Sequence, residues 1–303
     1  MRLGAAVGSV LFLAVLGCGR RGGDGEGPGG RTMIQNKGSD TMVNLAQAWA
    51  EEYRTKRPNV AIAVSGGGSG TGIASLMNGT VDVANASREM KPEEEATARK
   101  NTGKAPVEHL VAYDAIAVYV HPSNPMTKIT KAQLASIYGE HGTATRWSDL
   151  GVEVPGCSGQ EIIRVSRQNN SGTYQFFREW VLGEADFKLG SRDMQGSKDV
   201  VDLVEGTPCA IGYSGIGYRT ARVKALCASA GDAAACVEPT PENTLSQSYP
   251  LSRGLYMYTL GNPAGELARY LEWVRSDPGQ VIVERSGYVP LPADRRRPVP
   301  ASR

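Results

Sequence analysis

Three short glycine-bearing turns concentrate the hydroxyl and amide side chains of this chain: Lys37-Gly38-Ser39-Asp40-Thr41, Gly66-Gly67-Gly68-Ser69-Gly70-Thr71-Gly72 and Asn169-Asn170-Ser171-Gly172-Thr173. Each leads into a stretch with helical apolar spacing, Met42 to Tyr53 after the first, Gly72 to Met77 after the second and Thr173 to Leu182 after the third. A helix start leaves backbone N–H groups unpaired at the positive end of the macrodipole, and a neighbouring Ser or Thr adds a hydroxyl donor. Three such ends brought together form a cradle for an oxyanion. Taken singly, each turn is ordinary capping and turn chemistry. Their recurrence, with Arg167 just ahead of the third turn, exceeds what capping requires. A guanidinium binds two oxyanion oxygens at once in a fixed fork, and a cap has no use for that.

Other chemistries fit less well. Ser69 and Ser171 are the nucleophile candidates, but Thr71 stands where a Gly-x-Ser-x-Gly motif needs its last glycine, and no histidine lies in a motif beside either serine. The glycine-rich turn also lacks the Gly-Lys-Ser/Thr ending of a nucleotide-phosphate loop. His109, His121 and His141 are isolated and no Cys-x-x-Cys pair occurs, so neither a metal nor another cofactor is expected. The formal charge of +2 implies no nucleic-acid partner.

The elements that must position these turns read as α/β. Strand-like runs cover Val60 to Ser65, Val81 to Ala84, Leu110 to Val120, Ile162 to Ser166, Ala210 to Gly212 and Leu255 to Thr259, with further helices at Lys131 to Tyr138 and Glu266 to Arg275. Leu110 to Val120 is long enough to pass from one lobe to another. The apolar run Leu3 to Gly17 behind Arg2 is an export signal, too short for a permanent span. Its end, Val15-Leu16-Gly17-Cys18, resembles the bacterial lipobox, which makes Cys18 the lipidated first residue of the mature chain. Gly19 to Arg31 is glycine-rich and charged, and reads as a flexible tether. Cys157, Cys209, Cys227 and Cys236 remain, an even number in an oxidising compartment, so disulfides are expected. Of three pairings, Cys227 with Cys236 closes a local loop and leaves Cys157 for Cys209.

Together Gly38-Ser39-Asp40-Thr41, Gly66 to Gly72, Asp82-Val83-Ala84-Asn85-Ala86-Ser87-Arg88, Arg167 to Tyr174, Ile211-Gly212-Tyr213 and Tyr249-Pro250-Leu251-Ser252-Arg253 resemble, in order, the segments of phosphate-binding proteins of the PstS type. The resemblance runs from about Met33 to Pro292. It implies a two-lobed type II periplasmic-binding-protein fold, a mixed sheet with flanking helices in each lobe, that closes on one dehydrated inorganic phosphate and delivers it to the membrane permease of an ABC importer. Ser39, Thr41, Ser69 and Ser87 then bind from the first lobe, and Arg167, Ser171, Gly172 and Thr173 from the second, with Asp40, Gly70 and Arg88 as further candidates. The implied organisation is a signal over 1–17, a tether over 18–32, lobe 1 over 33–112 plus 254–292, lobe 2 over 113–253 and a disordered tail over 293–303, in an anchored monomer. Arg88 departs from the best-known branch, where an aspartate after the Ala-Ser pair accepts the proton of hydrogen phosphate. The expectation is that Arg88 turns away to pair with Asp82 or Glu89, and Asp40 is the candidate replacement acceptor. Receptors for molybdate, sulfate or a phosphonate, or an anchored phosphate sensor or adhesion protein, are the neighbouring readings.

Overall fold

The computed structural model describes residues 26–27, 31–183, 185–231 and 235–297; the expected signal, Cys18 and most of the tether lie outside them. The chain begins with β1 (Glu26–Gly27), β2 (Arg31–Gly38), α1 (Val43–Lys56), β3 (Val60–Ser65), α2 (Ser69–Met77), β4 (Val83–Ala86), α3 (Pro92–Thr102) and the long β5 (Pro106–Val120). It continues through β6 (Lys128–Thr130), α4 (Lys131–Tyr138), β7 (Ile163–Arg167), α5 (Gly172–Leu182), β8 (Arg192–Met194) and α6 (Ser197–Glu205). After β9 (Ala210–Gly215), β10 (Lys224–Ser229) and α7 (Pro241–Leu245) come β11 (Ser252–Leu260), α8 (Gly265–Val274) and α9 (Asp277–Arg285).

Two mixed sheets share β5. In one, β2 runs parallel to β3 and β4, β4 is antiparallel to β11, and β11 is antiparallel to β5 as far as Ala115. From Ile116 onward β5 pairs antiparallel with β9, which lies parallel to β7, and β7 lies parallel to β8; Val118 to Val120 also meet β10. The last ten residues of β5 are all buried, the pattern of a strand covered on both faces. That is why the run is apolar without alternation.

Helical spacing sets what each layer buries. On α1, Leu45, Trp49 and Tyr53 fall on one face and pack with Tyr270 and Trp273 of α8. On α5 the buried positions are Gly172, Thr173, Phe177 and Val181, and the Phe177 ring stacks on Tyr213 of β9 with centroids 3.7 Å apart. Each such large apolar side chain contributes roughly 1.5–3 kcal/mol by leaving water. On β9, Gly212 lets α6 come close, since a Cβ there would lie 2.8 Å from Val200 and 2.9 Å from Val204. The disulfides are Cys157–Cys209 and Cys227–Cys236, as the cysteine spacing suggested.

Several boundaries differ from the sequence expectations. The strand expected at Val81 to Ala84 is Val83–Ala86, because parallel pairing with β2 starts at Val83. The tether was expected to reach residue 32, yet Arg31 and Thr32 already belong to β2, with the Thr32 N–H on Asn59 O at 2.9 Å. Residues 293–297 of the expected tail are also built in: Ala293–Arg295 is a 3-10 turn, Arg295 Nη1 donates to Tyr113 Oη at 2.8 Å and Arg297 N to Arg275 O at 2.9 Å. In both places polar pairing orders chain that buries little apolar surface. Helix α3 has no apolar stripe, and Ala98 is its one buried residue. Its signals are Pro92 at the start, Glu93 to Glu95 in the first turn, basic residues in the last and Gly103 in the left-handed region.

Candidate functional site

The three turns meet near the place where the two sheets join through β5. Ser39 directly follows β2, and its Oγ donates to Ser87 Oγ just past β4 at 3.0 Å. Ser69 opens α2; its Oγ takes the Ser87 N–H at 3.0 Å and lies 3.3 Å from Ser87 Oγ. Gly172, the first residue of α5, sits directly on this trio, for a Cβ there would come within 2.5 Å of Ser69 Oγ and 2.7 Å of Ser87 Oγ. Only a residue without a side chain permits that approach. Thr41 and Thr173 share a hydroxyl hydrogen bond at 2.9 Å. Ser171 caps α5, accepting from Thr173 N at 3.2 Å and Tyr174 N at 3.4 Å.

Arg167 ends β7 and is buried. Its Nε and Nη2 donate to Gln195 O at 3.2 and 2.7 Å, and its Nη1 to Ser197 Oγ at 2.8 Å. Ser197 opens α6 and reaches Thr41 Oγ1 at 3.4 Å, so a fourth helix start joins the cluster. Burial pushes the Arg167 pKa down and the Asp40 charge opposes it. The guanidinium still carries its charge at any ordinary pH.

All eight binding residues expected from the sequence are therefore buried in one region, but the three further candidates behave differently. Asp40 turns Oδ1 to the Gly67 N–H at 2.9 Å, while its Oδ2 has Arg167 Nη2 at 3.7 Å. Gly70 spends its N–H on Asn170 O at 2.9 Å, so that amide is not offered to a ligand. Arg88 points away from the serines, as expected, but to neither expected side chain. Its Nη2 and Nη1 grip Glu94 Oε1 and Oε2 at 2.7 and 2.8 Å, with Nη1 also on the Glu89 carbonyl oxygen. Asp82 instead accepts the Gln35 N–H. Glu94 prevails because α3 holds it in place: from the first turn it accepts the Lys91 N–H at 2.9 Å. Burial alone would raise the Glu94 pKa, and the hydrogen bonds from Arg88 and Lys91 overcome this and hold it below the usual range.

Arg253, Asp114, Ser197 and Asn170 belong to the region but are not among the residues expected from the sequence. Asn170 bridges the turns, its side-chain amide donating to Gly67 O at 2.9 Å and to Thr71 Oγ1 at 3.2 Å. Arg253 Nε and Nη2 donate to Asp114 Oδ2 at 3.0 and 2.7 Å, a pair almost wholly sealed from solvent. Burial raises the Asp114 pKa, and the Arg253 charge pulls it back. Signals were present: Asn170 lies in the third turn, Arg253 ends one of the segments that carry the family resemblance, and Asp114 is the sole charge in the apolar run Leu110 to Val120, where a buried carboxylate needs a cation. Ser197 carries no signal beyond that of a routine helix start.

The chain matches the family model described as a PBP superfamily domain over residues 24–278. It is 38% identical over 271 residues to the phosphate-binding protein PstS of Pseudomonas aeruginosa, covering 86% of this chain and 83% of that one. Protein SphX of Synechococcus elongatus is 33% identical, with 87% of this chain and 79% of that one covered. Among solved structures, a Clostridium perfringens protein assigned as a phosphate ABC transporter substrate-binding protein and solved with bound phosphate superposes with a TM-score of 0.75. That match has 31% identity and covers 86% of this chain and all of the other (100%).

Proposed function

This chain belongs to the PBP superfamily and, within it, to the PstS phosphate-binding proteins, and from that membership we propose which of its own residues carry the function. It is an extracytoplasmic receptor that binds phosphate for an ABC importer, and it is not an enzyme. Ser39, Thr41, Ser69 and Ser87 hold the anion from one lobe, and Arg167, Ser171, Gly172 and Thr173 hold it from the other. The observation that carries this assignment is the Thr41–Thr173 hydroxyl pair, 2.9 Å apart across 132 residues of sequence and linked through Ser197 to a buried guanidinium.

The chemistry follows from dehydration. Phosphate gives up its water only where every oxygen meets fixed donors, and hydroxyls that now donate to one another turn to the anion without desolvating anything new. The lobes comprise 33–112 with 254–292 and 113–253, and they hinge on β5 and β11. Ligand favours the closed form because only that form engages donors of both lobes. Asp40 Oδ2 accepts the proton of hydrogen phosphate, which sulfate lacks. Among the described residues no helix is long and apolar enough to cross a membrane. Attachment is assigned to lipid on Cys18 after removal of 1–17, with the receptor acting as a monomer; Cys18→Ser should move the protein out of the membrane fraction.

Calorimetric titration with phosphate and sulfate tests the site. Wild type should bind phosphate far more tightly than sulfate. Arg167→Met should lose about 100-fold in phosphate affinity, as expected when two hydrogen bonds to a charge go. Asp40→Asn should narrow the gap between the two anions. An Arg167→Met variant that binds like wild type removes Arg167 from the site.

A further inference from the structure

Arg253 is the second residue of β11 and stands directly opposite Asp114 of β5 in the antiparallel register. A plain strand-to-strand ion pair would need nothing more. This guanidinium goes further: Nη1 donates to Ser87 O at 3.0 Å, and Nη2 donates to Thr173 Oγ1 at 3.0 Å and approaches Thr41 Oγ1 at 3.4 Å. Its three non-carboxylate partners thus come from three of the residues assigned to phosphate, on both lobes. A row of polar atoms runs from Arg253 Nη2 through Thr173, Thr41 and Ser197 to Arg167 Nη1, with a guanidinium at each end.

Asp114 cannot itself take a ligand proton. Its Oδ2 receives both Arg253 N–H groups and its Oδ1 the Ile216 N–H at 3.1 Å. It is a brace. With Nε and one edge of Nη2 tied to a buried carboxylate, the remaining Nη2 hydrogen is fixed toward the hydroxyls. Buried as it is, Arg253 also borders a cavity of about 440 Å³ whose wall includes Arg88, Glu89, Lys91, Phe176 and Glu179. An anion entering there meets Arg253 at the edge of the hydroxyl cluster.

We infer that Arg253 is a second phosphate-binding guanidinium, opposite Arg167, and that Asp114 is its positioning residue. This rests on the phosphate reading above and deepens it. The two buried cations are balanced by Asp40 and Asp114, so the site gains directed donors without the excess positive charge that would admit any anion. An oxygen placed between Thr41 and Thr173 replaces their mutual hydrogen bond and receives Nη2 as a charge-assisted donor.

The test is calorimetry on wild type, Arg253→Met and Arg253→Lys, together with a structure of wild type bound to phosphate. Arg253→Met should weaken phosphate by roughly 10- to 100-fold, the usual worth of a hydrogen bond to a charged group. Arg253→Lys should recover only part of this, having the charge without the fork. In the complex, Nη2 should lie within about 3.2 Å of a phosphate oxygen. A merely structural pin would lower the unfolding temperature and leave the affinity of the folded protein within about threefold, and that result overturns the inference. So does a complex in which Nη2 stays on Thr173 with no phosphate oxygen in reach, which decides the matter even if Arg253→Met fails to fold. Wild type that binds no phosphate sinks the functional reading itself.

Discussion

Arg88 and Arg253 are both buried, 8% and 5% exposed, and both lie against the turn that carries Ser87, yet their guanidinium groups go to different partners. Arg88 is the next residue in sequence to Ser87 and grips Glu94 instead of the serine hydroxyls. Arg253 comes from far along the chain and points into the hydroxyl cluster. What separates them is where a carboxylate is already fixed. Glu94 is held by the first turn of α3, whereas Asp114 is set into β5 where the two sheets meet. A guanidinium leaving water follows its counter-ion, so adjacency to Ser87 in sequence says little about which way it turns.

The largest effect that can sharpen this contrast is on stability. Asp114→Asn leaves a buried guanidinium without its counter-charge, and the expected cost is about 3–5 kcal/mol. Denaturant unfolding without ligand measures it, and a loss below about 1 kcal/mol would mean that the Arg253 corner is no more demanding than an ordinary surface pair. Next is Gly172→Ala, which touches the inward side alone. Its Cβ must push aside Ser69 Oγ and Ser87 Oγ, and crowding of this kind typically costs about 1–3 kcal/mol. Phosphate affinity should fall by roughly 10-fold or more while the Arg88 corner is undisturbed; unchanged affinity would show that the turns close less tightly than these distances say.

The smallest effect belongs to the outward corner. Glu94→Gln should destabilise by about 1–3 kcal/mol at neutral pH, less than Asp114→Asn because this pair is less buried and Arg88 keeps the Glu89 carbonyl, and leave phosphate affinity nearly unchanged. Its pH course has a defined sign. The folded Glu94 pKa lies below the ordinary 4.5, so its stabilisation is complete well above that value and disappears as pH falls through the folded pKa. The gap between wild type and Glu94→Gln should therefore narrow on acidification below about pH 4.5. A gap that stays constant from neutral to acid pH would assign the loss to helix capping rather than to the charge on Glu94.

Much of the site was legible because its signals are local. A helix start such as Ser69 or Ser171 needs only its own turn and the few residues after it, and Arg167 stood beside such a turn. The amide of Gly70 looked equally available by the same rule, and the structure spends it on Asn170, 100 residues away in sequence. The partner of Arg88 was missed because α3 has no apolar period to reveal it, and its first turn is what holds Glu94.

The sequence by itself determined the α/β order, the presence of four cysteines placed to form disulfides, the long strand that joins the sheets and the donor chemistry of the turns. All of these follow from periodicity, cysteine spacing and short-range backbone geometry. Only the tertiary structure decided that Arg88 turns out, that Arg253 turns in, and that Ser197 bridges Thr41 to Arg167. Those outcomes depend on which buried carboxylate or hydroxyl lies nearest through space, as between Asp114 and Arg253, which the β5–β11 pairing brings together across 139 residues.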